Sequence, residues 1–252
     1  MSHNMKDWLD DLRLAIMFLT RLPIPHSDGV VNFQRAMRVF PLVAAGIGLV
    51  MGLVQLGLLR LGLPALAAAA LTLGASALLT GALHEDGLGD TADGFGGGRD
   101  TAAKLEIMRD SRIGTYGTLA LMVSFAAKLA ALAALPPAFV IPGLVATHAL
   151  ARSPLPAMAV LLPPARSDGL SVTAGTPDQA TAITAAAFGF VITLICLPWS
   201  AAFAAIVATI LAAAGMGWLA RRHVGGYTGD VLGGTEQVCE TLILLLLAAR
   251  LS

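Results

Sequence analysis

Charge is scarce in this chain. Asp, Glu, Lys and Arg make up 13% of the 252 residues while 56% are hydrophobic, which is about half the charge of an ordinary soluble domain. With a mean hydropathy of +0.77 the chain reads as a polytopic membrane protein, not a soluble enzyme. Sixteen acidic against sixteen basic residues leave no net charge, so no basic field points to nucleic acid, and nucleic acid is excluded as a partner. Only two cysteines occur, Cys196 in an apolar run and Cys239 after a polar segment. Their spacing offers neither a disulfide framework nor a metal site, and each reads as a buried spectator thiol. Nor does the N-terminal stretch read as a cleaved secretory leader. The N-terminus places Asp7, Asp10 and Asp11 where such a leader is basic, so it is expected to stay, with residues 8–22 forming an amphipathic segment that lies at the interface or re-enters it.

What the chain has in excess is long apolar runs. At about 20 residues per crossing, candidate spans fall near 41–60, 64–83, 117–135, 138–161, 182–199, 201–219 and 238–250, punctuated by Pro64, Pro136, Pro137 and Pro198. The expected fold is an all-α polytopic integral membrane protein of six to seven transmembrane helices plus the N-terminal interfacial or re-entrant helix. Residues 1–252 form a single membrane domain. A cytoplasmic N-terminus puts twelve of the sixteen basic residues inside and only Arg60 and Arg250 outside, which meets the positive-inside rule. On this topology all sixteen acids fall in cytoplasmic segments or at their membrane edge. The polar segments 84–116, 162–181 and 220–237 then share the cytoplasmic side, the second being a plain connector or a substrate lid. Lys128 and Arg152 remain within apolar spans, where cations are costly and face a bundle interior or polar cavity. Arg152, accompanied by His148 and Ser153, is the stronger candidate for substrate contact.

Seven of the sixteen acids crowd between Glu85 and Asp110. If residues 84–94 continue the preceding helix, Asp86, Asp90 and Asp93 share one face at i, i+4 and i+7. Like charges on one stripe invite a hard divalent cation such as Mg²⁺, which takes oxygen ligands and shares them with substrate phosphates. Glycines 87, 89, 94, 96, 97 and 98 are poor helix formers, and close approach of backbone to a ligand is the expected reason for them. Arg99, Lys104, Arg109 and Arg112 follow, cations suited to phosphate oxygens. A solvated charged loop is the plain alternative.

Residues 84–94, HEDGLGDTADG, are similar to the H-x-D-G-L-x-D-T-x-D-G string of the cobalamin synthases, or adenosylcobinamide-GDP ribazoletransferases. Residues 106–114, EIMRDSRIG, resemble that family's E-I-M-(R/K)-D-S-R-(I/L)-G. FLTRLPIP at 18–25 and GGYTGDVLG at 225–233 extend the likeness over most of the chain. The resemblance implies transfer of the phospho-cobinamide group of adenosylcobinamide-GDP to α-ribazole or its 5′-phosphate with release of GMP, in a bacterial cytoplasmic (inner) membrane. It also brings Asp230 into the same site, making 84–116 and 220–240 the active-site segments. For that chemistry Asp86, Asp90 and Asp93 would hold Mg²⁺, Arg109, Arg112 and Arg152 would contact substrate, and His84, Glu85 or Asp86 would serve the proton transfer. Homo-oligomerisation and docking of other cobalamin-pathway enzymes stay open. Two other functions are weighed. A CDP-alcohol phosphotransferase shares the start Asp90-x2-Asp93-Gly94, but Gly97 and Gly98 stand where that pattern needs Ala-Arg. An ion-coupled transporter would need acids in mid-span, and none is expected there.

Overall fold

The computed structural model describes residues 5–25, 32–166 and 175–251, and helices dominate it throughout. Helix α1 (Met5–Leu19) buries Asp11, Ala15 and Leu19 along one stripe. A short α2 (Phe33–Ala36), capped by Asn32, leads through a single 3₁₀ turn into α3 (Phe40–Arg60). The N-terminal segment is therefore a packed element of the fold and does not lie alone at an interface. Its anchor is Asp11, which accepts bonds from Arg35 Nε at 3.0 and 3.1 Å and pairs with Arg38 at 2.8 Å, while the Arg38 guanidinium lies 3.6 Å over the Trp8 ring.

Helices α3, α4 (Ala65–Thr80), α7 (Thr115–Ala134), α10 (Gln179–Cys196) and α11 (Trp199–Val224) coincide closely with the apolar runs. Pro154 divides the run at 138–161 into α8 (Pro137–Arg152) and α9 (Leu155–Leu161). Among the described residues, six helical stretches are long and apolar enough to cross a membrane, and a bent pair supplies a seventh candidate. Buried faces are joined by close backbone approach and by hydrogen bonds. Gly52 of α3 lies against Ile141 of α8, and Gln55 accepts from Thr72 at 2.8 Å between α3 and α4, the kind of small-residue and polar contact that joins helices in lipid.

Two departures from the sequence reading shape the site. First, α4 does not run on into the acidic stretch. Gly81 and Ala82 both adopt left-handed backbone, φ 70° and 56°, and α5 (Leu83–Gly97) leaves at 92° to α4. A left-handed alanine costs on the order of 1–3 kcal/mol, so the bend is held by its surroundings: Arg21 N bonds Leu79 O at 2.8 Å and the Arg21 side chain lies over Gly81. Second, the last helix, α12 (Gly229–Leu251), starts nine residues before the expected 238. Asp230 and Glu236 thus stand on a helix, not in a loop before it. Glu240, its twelfth residue, lies about 16 Å along the axis, near the middle of a bilayer core of about 30 Å. The expectation that every acid sits at a membrane edge is corrected by this residue and by Glu236, the eighth of the same helix.

Candidate active site

Helices α5 and α12 cross at glycines. A Cβ on Gly87 would fall 2.8 Å from the Asp230 carbonyl oxygen and 3.1 Å from Gly233 Cα, and one on Gly233 would fall 3.3 Å from His84 Cα. These residues let two backbones touch. Other glycines at and just after α5 also make room for protein atoms: Gly94 and Gly96 for Met108 and Tyr116, and Gly98 for Lys104. The crossing brings Asp86 and Asp90 of α5 beside Asp230 of α12, near enough that Asp90 feels the charge of both.

A cavity of about 360 Å³ opens over this crossing, within the usual range for small-molecule sites. Its polar end carries His84, Asp86 and Asp230; its apolar end carries Phe18, Phe33, Met37 and Phe40. Tyr227 and Gly175 also line it. The segment that follows α9 is tied to the one that precedes the last helix by a two-bond bridge, Tyr227 N to Pro163 O and Ala165 N to Tyr227 O, both 2.9 Å. That bridge delivers Arg166, whose guanidinium sits 3.5 Å from Asp230 Oδ2 and donates to Leu105 O at 3.1 Å. The 162–181 segment therefore contributes to the site at both its ends, although a lid formed by 167–174 would lie outside the described residues. Arg166 was missed as a site residue because its partner is 64 positions away.

The other expected site residues divide. Asp93 is 7% exposed and accepts Gly114 N–H at 2.7 Å and Gly117 N–H at 2.8 Å. It caps α7, satisfying amides that the helix itself leaves unpaired. Glu85 points away from Asp86, into a second cavity of about 360 Å³ shared with Lys128, Gln237 and Glu240. Arg109 lines a third hollow around α6 (Thr101–Ile107), with Arg99 and Glu106. Arg112 is 87% exposed and grips Asp110 with a fork at 3.1 and 2.6 Å, which holds that carboxyl below the usual carboxylate range. Neither arginine lines the cavity over the crossing.

Arg152 is not open to solvent. It is 2% exposed and pairs with Glu236 at 2.7 Å, a charge contact without hydrogen-bond alignment. Lys128, likewise buried, donates to Gln237 at 2.6 Å and Glu240 at 3.2 Å. Helices α7, α8 and α12 are thus tied through paired charges inside the apolar region. His148, Glu236 and Glu240 come within 4.8 Å of one another, and Arg152 and Lys128 pair with those carboxylates, so the cluster forms a buried ion-pair network. Arg152 Nη2 also reaches His84 Nδ1 at 3.2 Å, linking the network to the cavity.

A family model described as cobalamin-5-phosphate synthase matches residues 11–248. The chain belongs to the cobalamin-5-phosphate synthase family. Three relatives, each named adenosylcobinamide-GDP ribazoletransferase, support the placement: one from Bradyrhizobium diazoefficiens is 45% identical over 98% of this chain and 96% of its own length. Those from Mesorhizobium japonicum and Rhizobium meliloti are 44% and 40% identical over 97% of this chain, covering 95% and 98% of theirs. No solved structure matches. As a cobalamin-5-phosphate synthase family member the chain is a transferase of cobalamin synthesis and a multi-pass membrane protein. Mid-span acids, which the sequence reading reserved for a transporter, are present as Glu236 and Glu240; family membership and their pairing with Arg152 and Lys128 decide against that use of them.

Among the described residues, Arg166 is the cation paired with Asp230. Arg166→Met is expected to lower turnover at least about tenfold, whereas Arg112→Met, at a solvent-exposed pair worth about 0–1 kcal/mol, leaves it within about twofold. Steady-state kinetics on both variants, with the reverse order as the contrary result, checks this assignment.

Proposed function

We propose that this protein transfers the phospho-cobinamide group of adenosylcobinamide-GDP to the hydroxyl of α-ribazole or its 5′-phosphate, releasing GMP, at the α5–α12 crossing. The observation that carries the reading is the cavity where carboxylates on two touching helices face an apolar aromatic wall. Attack on a diphosphate requires charge neutralisation at phosphate oxygens and a carboxylate near the attacking hydroxyl. Asp86, Asp90 and Asp230 supply hard oxygen donors from facing helices. They do not form a closed three-ligand cage, which suits Mg²⁺, an ion held by one or two carboxylates with waters and phosphates filling the rest. When bound there, Mg²⁺ would neutralise charge on the diphosphate and on the departing GMP.

The remaining roles follow from the side chains. Arg166 supplies a fixed positive charge at the Asp230 end. His84 accepts from Arg152 at Nδ1, because a guanidinium only donates; the neutral ring therefore carries its proton on Nε2. It acts as a hydrogen-bond donor to the phosphate region, and not as the proton acceptor. That leaves the hydroxyl proton to a cavity carboxylate, Asp86 or Asp230, with Glu85 turned toward another cavity. The polar segments gather at one end of the bundle, and the excess of basic residues there supports a cytoplasmic orientation in a bacterial inner membrane.

Detergent-purified protein given adenosylcobinamide-GDP, α-ribazole and Mg²⁺ is expected to release GMP. EDTA should abolish release, and Mg²⁺ or Mn²⁺ should restore it. Absence of GMP with Mg²⁺ present would overturn the transfer reading, and turnover that survives EDTA would overturn the metal.

A further inference from the structure

We propose that Phe18, Phe33 and Phe40, with Met37, form the seat for the apolar aromatic base of the acceptor nucleoside, so that α1–α3 select the acceptor while α5 and α12 carry the chemistry. This inference rests on the transfer reading above and goes beyond it by assigning one end of the cavity to one substrate.

The three rings form a single aromatic cluster. Phe18 meets Phe33 edge to face at 4.7 Å and stacks with Phe40 at 5.6 Å and 14°; Phe33 and Phe40 meet at 5.9 Å and 78°. All three line the cavity that contains Asp86 and Asp230. A planar apolar base laid against such a wall gains stacking contacts without needing hydrogen-bond partners. The wall continues through Leu83, Leu155, Ala159 and Leu232, none of which has a side-chain donor or acceptor. A guanine seated there would leave its amide and amino groups unpaired, whereas the benzimidazole of α-ribazole has almost no polar edge to satisfy. The polar end then faces the ribose, whose hydroxyl must reach a carboxylate. The corrin-bearing substrate is far too large for a hollow of about 360 Å³ and must approach from its open side with only its diphosphate entering.

Rigidity supports the same assignment. Phe40 is 2% and Met37 5% exposed, and α1 is locked to α2 by the buried Asp11 with Arg35 and Arg38. A pre-set wall lowers the ordering cost of binding a small rigid base.

The test uses the full-length protein in detergent and measures GMP release with each substrate varied in turn. Phe18→Leu and Phe33→Leu keep most of the apolar volume and remove the aromatic face. Each is expected to raise KM for α-ribazole at least about fivefold and to leave KM for adenosylcobinamide-GDP within about twofold. Benzimidazole itself, which needs no variant, should inhibit competitively against α-ribazole and not against adenosylcobinamide-GDP. Competition with the GDP-bearing substrate, a KM change confined to that substrate, or unchanged KM for both would overturn the seat. Wild-type protein that releases no GMP would instead overturn the transfer reaction; wild-type turnover with unmoved KM values refutes the aromatic seat alone.

Discussion

Replacing Asp86 or Asp90 by asparagine is expected to lower turnover by two or more orders of magnitude while the protein stays folded, or becomes slightly more stable. The reason is like-charge repulsion. Asp90 lies in the field of Asp86, Asp230 and Asp93, and each added negative charge costs the folded state unless a cation answers it. Removing one carboxylate relieves that repulsion and weakens a divalent cation site in the same step, so stability and activity move in opposite directions. Asp93 should behave differently. Its two oxygens hold Gly114 and Gly117 amides, and Asn presents one oxygen and one amino group to two donors, so Asp93→Asn should cost about 1–2 kcal/mol of stability. Thermal unfolding in detergent with and without Mg²⁺ separates the cases independently of activity. A cation at 100 times its Kd stabilises by about 2.7 kcal/mol; that gain should appear in the wild type and vanish in Asp86→Asn. Normal turnover in Asp86→Asn, or an undiminished Mg²⁺ stabilisation, would remove the metal assignment.

The spans were legible because a run of about 20 apolar residues is a one-dimensional signal that needs no partner. The start of α12 was not. The stretch from Gly225 to Glu236 reads as loop by propensity, yet Gly233 and Gly234 lie where α12 touches α5 at His84, Gly87 and Thr91, and tertiary packing overrides the local preference. Asp86 and Asp230 could be placed in one site by resemblance to the family strings, and the glycine crossing gives the physical means. Asp93 on its helical stripe looked equivalent to Asp86 and Asp90; its partners are amides 21 and 24 residues on, which no periodicity reports. Arg152 did carry a readable clue. A cation within an apolar span demands a countercharge; Glu240 lay in the span expected at 238–250, and Glu236 joined it once α12 was extended backwards to Gly229.

Arg152 therefore offers the second large effect, because the sequence reading gave it to substrate and the structure buries it against Glu236. Arg152→Met should leave Glu236, 0% exposed, as a buried carboxylate without its nearest cation. Breaking such a pair from one side costs about 3–5 kcal/mol, enough to lower the unfolding temperature sharply or prevent folding. Substitution of both partners, Arg152→Met with Glu236→Gln, removes the orphan charge and should recover most of the lost stability, a coupling that a double-mutant cycle reads directly. Recovery of the fold should not recover the rate. Without Arg152 the hydrogen bond to His84 Nδ1 is gone, and the ring is free to place its proton on either nitrogen, so the double variant should remain at least about tenfold slow. A side chain that merely contacted substrate would give the opposite pattern: an unfolding temperature unchanged in Arg152→Met, a raised KM, and no rescue of anything by Glu236→Gln.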